Sequence, residues 1–342
     1  MQLSDCTSGE RSIKHPSGSS LTISNKGATL LSFKPALTNN ISDNNNNNNE
    51  TLWLSPLSNP KTELNDDMGI QGGIPIVFPN FGKGTGKYET LPQHGFARQA
   101  IWCFEEVFES NIIDDDSPSI MSLSISFPLE QTAKSAGSTN WQTSASSTGY
   151  KAKLTITFYL SALSFRQTLT IENLGSSEFP FQTLLHSYFK VDDYEKCRVT
   201  GLEGYTCVDT QPGPQFSEGE FNRFIQLDGS QGLEDKEFDR IYYPPPSASK
   251  RLEEEKKGEL ELTLKVSSTK TSSIRAGCTF NDKPFPVSVV IWNPHAKKSK
   301  LMADFPFCFK EMVCVEPGVI EGMSILEVDS KAILWQEISI IL

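Results

Sequence analysis

The chain reads as all-β, a large antiparallel sandwich in one domain, and three observations carry that expectation. Apolar and polar residues alternate in several separate stretches, two further stretches are apolar without a break, and no segment longer than three turns keeps a helical period. Met121, Leu123, Ile125 and Phe127 alternate with serines, and Leu154, Ile156, Phe158 and Leu160 alternate with Thr155, Thr157 and Tyr159. Leu260, Leu262, Leu264 and Val266 repeat the pattern. A period of two puts one face of a strand in the core and the other toward solvent. The runs Val287 to Trp292 and Met312 to Val315 predict strands covered on both faces.

Two stretches interrupt the pattern. Residues 39–50 hold an asparagine run and residues 135–149 are rich in Ser, Thr and Gly, compositions that bury nothing and predict mobile surface loops. Strand patterning resumes on both sides of each. The expected organisation is therefore an N-terminal tail, 1–16, followed by one sandwich domain, 17–342.

Composition narrows the function classes. With 342 residues, 37% of them hydrophobic and 21 of them Phe, the chain can build a sizeable core. Its net charge of −11 argues against nonspecific nucleic-acid or anionic-membrane partners. An anionic substrate would then need a local basic pocket. Seven dispersed cysteines with no Cys-x-x-Cys pair predict reduced thiols in a cytoplasmic protein, without a disulfide framework or a zinc site. No apolar run approaches the roughly 20 residues of a membrane span, and the polar N-terminus carries no secretory signature.

Three segments are too particular to be ordinary connections. The first is Gly69-Ile-Gln-Gly-Gly-Ile-Pro-Ile-Val-Phe-Pro79, followed by Leu91-Pro-Gln-His-Gly-Phe-Ala-Arg98. Its Gly and Pro residues set turns, and Gln71, Gln93, His94 and Arg98 suit a hydroxyl-rich ligand. The second, Leu184-Leu-His-Ser-Tyr-Phe189, places a His in an apolar strand. The third, Met312-Val-Cys-Val-Glu-Pro-Gly318, places a carboxylate at the end of a buried run. Each has a bland alternative: His186 as a satisfied core residue, Glu316 as a solvated turn residue, His94 as a turn residue tolerant of unusual backbone angles. Taken together, a buried His and a buried Glu form the smallest acid/base pair for proton transfer. Gly82-Lys-Gly-Thr-Gly-Lys87 lacks the spacing and the Ser/Thr of a phosphate loop, because Tyr88 follows Lys87.

At these residues the chain resembles the glucose-6-phosphate 1-epimerase (D-hexose-6-phosphate mutarotase) family, relatives of aldose 1-epimerase. The resemblance rests on six ordered motifs: Gln71 to Pro75, Leu91 to Arg98, Leu184 to Phe189, Asp239-Arg-Ile-Tyr242, Trp292-Asn-Pro294 and Met312 to Glu316. It extends from about Ser17 to the C-terminus. It implies a galactose-mutarotase-like β-sandwich, a catalytic pair of His186 as acid and Glu316 as base, and substrate contacts from Gln71, Gln93, His94, Arg98 and Asp239. One position departs: the family's phosphate-binding arginine before Gly-Gly is Gln71 here, an amide with neither the charge nor the fork of a guanidinium.

The expected reaction interconverts α and β anomers of a hexose 6-phosphate by opening and closing the ring. It needs no cofactor and no metal, and the expected partner is the small sugar alone, bound by a monomer. Two other readings stay open here: an aldose 1-epimerase acting on unphosphorylated hexose, and a non-catalytic carbohydrate-binding or sugar-sensing protein.

Overall fold

The structure, a computed structural model, describes residues 9–36, 49–58, 69–114, 116–127, 149–211, 222–225, 230–232, 237–245, 260–265, 271–302 and 308–341. The chain opens with β1 (Glu10–Lys14), β2 (Ser20–Ser24) and β3 (Thr29–Lys34), an antiparallel three-stranded sheet. After β4 (Ile76–Val77) it forms a meander of β5 (Cys103–Phe108), β6 (Ser119–Phe127), β7 (Ala152–Leu160) and β8 (Ser164–Asn173). Next come β9 (Phe179–Leu185), β10 (Tyr188–Lys190), β11 (Arg198–Thr200), β12 (Thr206–Asp209), β13 (Asn222–Ile225), β14 (Ser230–Gly232) and β15 (Phe238–Tyr243). The last third carries β16 (Leu260–Lys265), β17 (Thr271–Phe280), β18 (Lys283–Phe285), β19 (Ser288–Asn293), the short helix α1 (His295–Ser299), β20 (Met312–Leu326) and β21 (Lys331–Ile341).

Two large sheets build the body. A ten-stranded sheet runs β14-β11-β16-β17-β21-β8-β7-β6-β5 with β18 beside β17, and an eight-stranded sheet runs β13-β12-β15-β19-β20-β9-β4 with β10 beside β20. All their ladders are antiparallel, as the alternating stretches predict. The even members of β7, Ala152 to Leu160, are buried while the odd ones are half-exposed. They meet Val289, Ile291, Val313 and Val315 of the other sheet in one continuous core. The all-β sandwich is what the periodicity anticipates.

The unbroken apolar runs have a specific cause. The far face of the eight-stranded sheet is also covered, by a second small cluster of Val77, Leu184, Val290 and Ile320 packed with Phe81, Ile241 and Trp292. Strands β19 and β20 are therefore buried on both sides, and that second face holds the candidate site.

Glu10 to Lys14, expected within an N-terminal tail, form β1 and pair with β2. The hydroxyls of Ser12 and Thr22 and the apolar pair Ile13 and Leu21 explain that strand. The expected mobile loops lie outside the described residues, apart from 49–50 and 149. Among the cysteines, Cys197, Cys207, Cys278, Cys308 and Cys314 are free thiols, but Cys103 is in a disulfide, against the expectation of reduced thiols throughout. Dispersed spacing along a chain does not forbid a long-range pair. No helix among the described residues is long and apolar enough to cross a membrane.

Candidate active site

Strand register places the two residues singled out as an acid/base pair. Leu184 stands opposite Gly318 and Tyr188 opposite Cys314, so His186 falls between them, opposite Glu316. The backbone N–H of Val315 donates to Ser187 carbonyl and stitches the strands together at that point. Both side chains point to the covered outer face, since the neighbours Ser187 and Val315 point to the core. His186 Nδ1 lies 3.3 Å from Glu316 Oε1, with side chains only 11% and 2% exposed. The pair is in contact, closer than the sugar-wide separation that ring opening between them suggests. The contact is off hydrogen-bond alignment, so Nδ1 is a buried nitrogen without a hydrogen-bond partner.

Burial decides the charge of this pair. Desolvation holds the His186 imidazole well below its ordinary pKa, with nearby His94 and Arg98 adding to the effect. Desolvation also pushes the Glu316 carboxyl well above its usual range, and Asp239 pushes it further. The resting site thus favours a neutral pair with one proton held on Glu316, rather than the imidazolium and carboxylate expected from their proximity. A ligand that donates hydroxyl hydrogen bonds to the carboxylate favours the charged form of the same pair.

The segment Gly69 to Pro79 runs beside the His186 strand as a backbone partner. His186 N–H donates to Pro75 carbonyl at 3.0 Å, and Tyr188 N–H donates to Gly73 carbonyl at 2.9 Å. The glycines permit this approach. Gly72 and Gly73 sit at φ +108° and +66°, and a Cβ on Gly73 would come 2.2 Å from the Leu30 carbonyl oxygen. The Asn of Trp292-Asn-Pro294 has an equally local reason. Its amide donates to the carbonyls of Phe309 and Met312, tying the end of β19 to the start of β20.

The other expected site residues gather around the pair. His94 takes a left-handed turn at φ +67°, and its ring centroid lies 5.9 Å from that of His186. Gly82 N–H donates to His94 Nδ1, which leaves the ring proton on Nε2 as a donor. Desolvation, then Arg98 and Lys298, lowers the His94 pKa to about 3, so this ring stays neutral at physiological pH. Arg98 donates to the carbonyl of exposed Gln93 at 2.9 Å. Asp239 stands opposite Trp292 in the β15–β19 ladder, and burial raises its pKa. Gln71 is oriented differently from a charged ligand clamp: its amide donates to Tyr188 hydroxyl at 3.0 Å.

Four contributors were missed among the expected site residues. Tyr188 stacks on His186 with centroids 4.6 Å apart and planes 8° from parallel. Trp292 packs edge-on against both rings. Cys314 Sγ lies within 4.8 Å of a Glu316 carboxylate oxygen. Lys298 of α1 sits over the Trp292 ring at 5.7 Å, pairs with Glu237 and acts on both His94 and Asp239. Period two from His186 and Glu316 points to Tyr188 and Cys314, whereas nothing in local spacing points to Lys298.

The aldose 1-epimerase family model matches residues 11–331. The chain belongs to the aldose 1-epimerase family. Among proteins of this family, it is 28% identical over 254 residues to one from Cenchrus ciliaris provisionally named glucose-6-phosphate 1-epimerase, covering 74% of this chain and 64% of that protein's length. It is 28% identical over 318 residues to an Escherichia coli protein with the same provisional name, covering 92% of this chain and 85% of the other. The fold matches a structure provisionally titled mutarotase from Salmonella typhimurium at TM-score 0.70 and 22% identity, with 97% and 90% of the two chains covered. A galactose mutarotase related enzyme from Lactobacillus acidophilus matches at TM-score 0.62 and 15% identity, covering 98% of both chains. Galactose-mutarotase-like architecture and epimerase family membership thus agree with the resemblance carried by the motifs.

Proposed function

We propose that the protein is a mutarotase that interconverts the α and β anomers of a hexose 6-phosphate, glucose 6-phosphate foremost. The observation that carries this reading is the His186 and Glu316 contact at 3.3 Å, ringed by Gln93, His94, Arg98 and Asp239. Glu316 accepts the anomeric hydroxyl proton while His186 protonates the ring oxygen. The ring opens to the aldehyde, C1 turns about its bond to C2, and closure returns both protons. The working form arises when sugar binding brings Oε1 and Nδ1, 3.3 Å apart at rest, into hydrogen-bond alignment and the one proton of the resting pair crosses between them. Because each partner can hold that proton, the same pair serves both directions. Neutral His94, with hydrogen on Nε2, donates to a sugar oxygen, and Asp239 accepts from a hydroxyl.

Phosphate recognition is supported by cations other than the one expected before Gly-Gly. Arg98 and Lys298 both bear on His94 and stand on the rim of the site. Lys87, by contrast, lies over the Tyr150 ring at 4.5 Å. A second reading, epimerisation of unphosphorylated aldoses, is favoured by Gln71, whose amide is committed to Tyr188. We place the enzyme in the cytoplasm on the five free thiols among the described residues, with Cys103 as the exception, and expect it to act as a monomer.

Polarimetry of freshly dissolved α-anomers tests the reading. Accelerated mutarotation of glucose 6-phosphate, with kcat/KM above that for glucose and galactose, is the expected result. Acceleration of the free hexoses alone would transfer the assignment to aldose 1-epimerisation. No acceleration of any of the three would remove the enzyme reading.

A further inference from the structure

The residue that stands two positions before Glu316 has no part in the ring opening. Cys314 Sγ, one imidazole nitrogen of His186 and one carboxylate oxygen of Glu316 all lie within 4.8 Å of one another, and all three residues are buried. Among the described residues this is the cluster with the donor set of a metal centre. Along the chain these residues show no metal-ligand spacing, because strand pairing rather than sequence proximity joins them. The Nδ1 atom of His186 is aimed into the cluster without a hydrogen-bond partner.

We propose that His186, Cys314 and Glu316 form an inhibitory site for a soft divalent cation of the zinc type. The geometry fits a tetrahedral ion. Bonds of about 2.0–2.2 Å to nitrogen and oxygen and about 2.3 Å to sulfur put tetrahedral ligands roughly 3.3–3.7 Å apart. The His186 and Glu316 donors already stand 3.3 Å apart. One thiolate, one imidazole and one carboxylate leave a fourth position, which would face the sugar space and take water. Thiolate and imidazole together select zinc or cadmium over magnesium or calcium, which prefer all-oxygen shells. Binding balances by release of protons: the thiol loses its S–H proton, and the carboxyl loses any proton it holds, both to solvent. The cation then occupies the lone pairs that proton transfer needs. Competition with the sugar rests on the mutarotase reading, whereas metal binding does not.

Cobalt(II) titration of the full chain separates the two. One equivalent of Co²⁺ should give intense tetrahedral d–d bands together with a thiolate-to-cobalt charge-transfer band in the near ultraviolet, and Zn²⁺ should abolish both. Cys314→Ser should remove the charge-transfer band, and His186→Gln should weaken binding by at least about tenfold. Circular dichroism of each variant checks its fold. If Cys314→Ser is unfolded, His186→Gln and Glu316→Gln carry the test through the loss of the tetrahedral bands. A band that survives all folded variants, or only six-coordinate cobalt spectra in the parent, would overturn the site. Zn²⁺ should also raise the apparent KM for the sugar without lowering kcat. Stoichiometric cobalt binding without any mutarotation would leave the metal site standing and defeat the function reading instead.

Discussion

His186 and Glu316 share one proton in a place that water barely reaches, and each sits there against its own solvation preference. On the proposed mutarotase reading, removing either leaves the sugar oxygens without a positioned proton donor or acceptor. His186→Asn and Glu316→Gln should each lower kcat by about 10² or more with smaller effects on KM, measured against spontaneous mutarotation. Parental rates in either variant would exclude that residue from the proton transfer. On the same reading, the cations near His94 set specificity separately. A hydrogen bond to a charged group is worth roughly 1.5–3 kcal/mol, so Arg98→Ala should weaken glucose 6-phosphate about ten- to hundredfold while sparing free glucose. Lys298→Ala should act in the same direction but less, since that lysine is half-exposed and already paired with Glu237. Gln71→Arg carries two effects: added charge for a phosphate, and loss of the hydrogen bond to Tyr188, the ring on which His186 stacks. It should therefore lower KM for the phosphorylated sugar and lower kcat for every sugar. Unchanged kcat for free glucose would show that the Tyr188 contact does not matter for turnover.

At the scale of elements, the site is a product of register. The strand β20 supplies Cys314 and Glu316 to one face and Val313 and Val315 to the other, and β9 and β10 bring His186 to the same height. The extended segment after Gly72 closes the arrangement from the side. Gly73→Ala tests that closure, because a methyl group there meets the Leu30 carbonyl oxygen at 2.2 Å on a backbone with φ +66°. The expected loss is about 1–3 kcal/mol, read as a lower urea midpoint at an unchanged m-value. Turnover should fall as well, since the Gly73 carbonyl holds the Tyr188 N–H. Behind the site, Ser187 and Gln336 hydrogen-bond across the sandwich at 2.8 and 3.1 Å and fix the distance between the two sheets.

For the whole molecule, acid is the expected weakness. The ordinary histidine pKa of about 6.5 applies in the unfolded chain, while folded His94 is lowered to about 3. A depressed histidine binds its proton only on unfolding across that window, so stability is lost as pH falls from about 6.5 toward 3. The slope approaches about 1.4 kcal/mol per pH unit for one such group. Urea midpoints between neutral and acid pH should fall less steeply in His94→Gln than in the parent. Equal slopes would mean that His94 titrates normally. The same whole-molecule view shows what was legible in sequence. The alternation over Met121 to Phe127 and Leu154 to Leu160 emerges as paired strands, because burial of one face is itself a pattern along the chain. Glu316 could be singled out because a carboxylate ending an apolar run is conspicuous. Lys298 could not be singled out, since its significance lies in distances to His94 and Asp239 on other elements.

The alternation of β20 has a consequence for how this chemistry can be altered. Glu316 and Val315 are neighbours in sequence but occupants of different compartments, one beside His186 and one in the sandwich core. Inserting a single residue before Val315 would exchange them, sending a carboxylate among Val289 and Ile291 and a valine to the face that holds His186. Replacement along this strand can therefore alter the site residue by residue, whereas a change of length before Val315 would disturb the site and the core together.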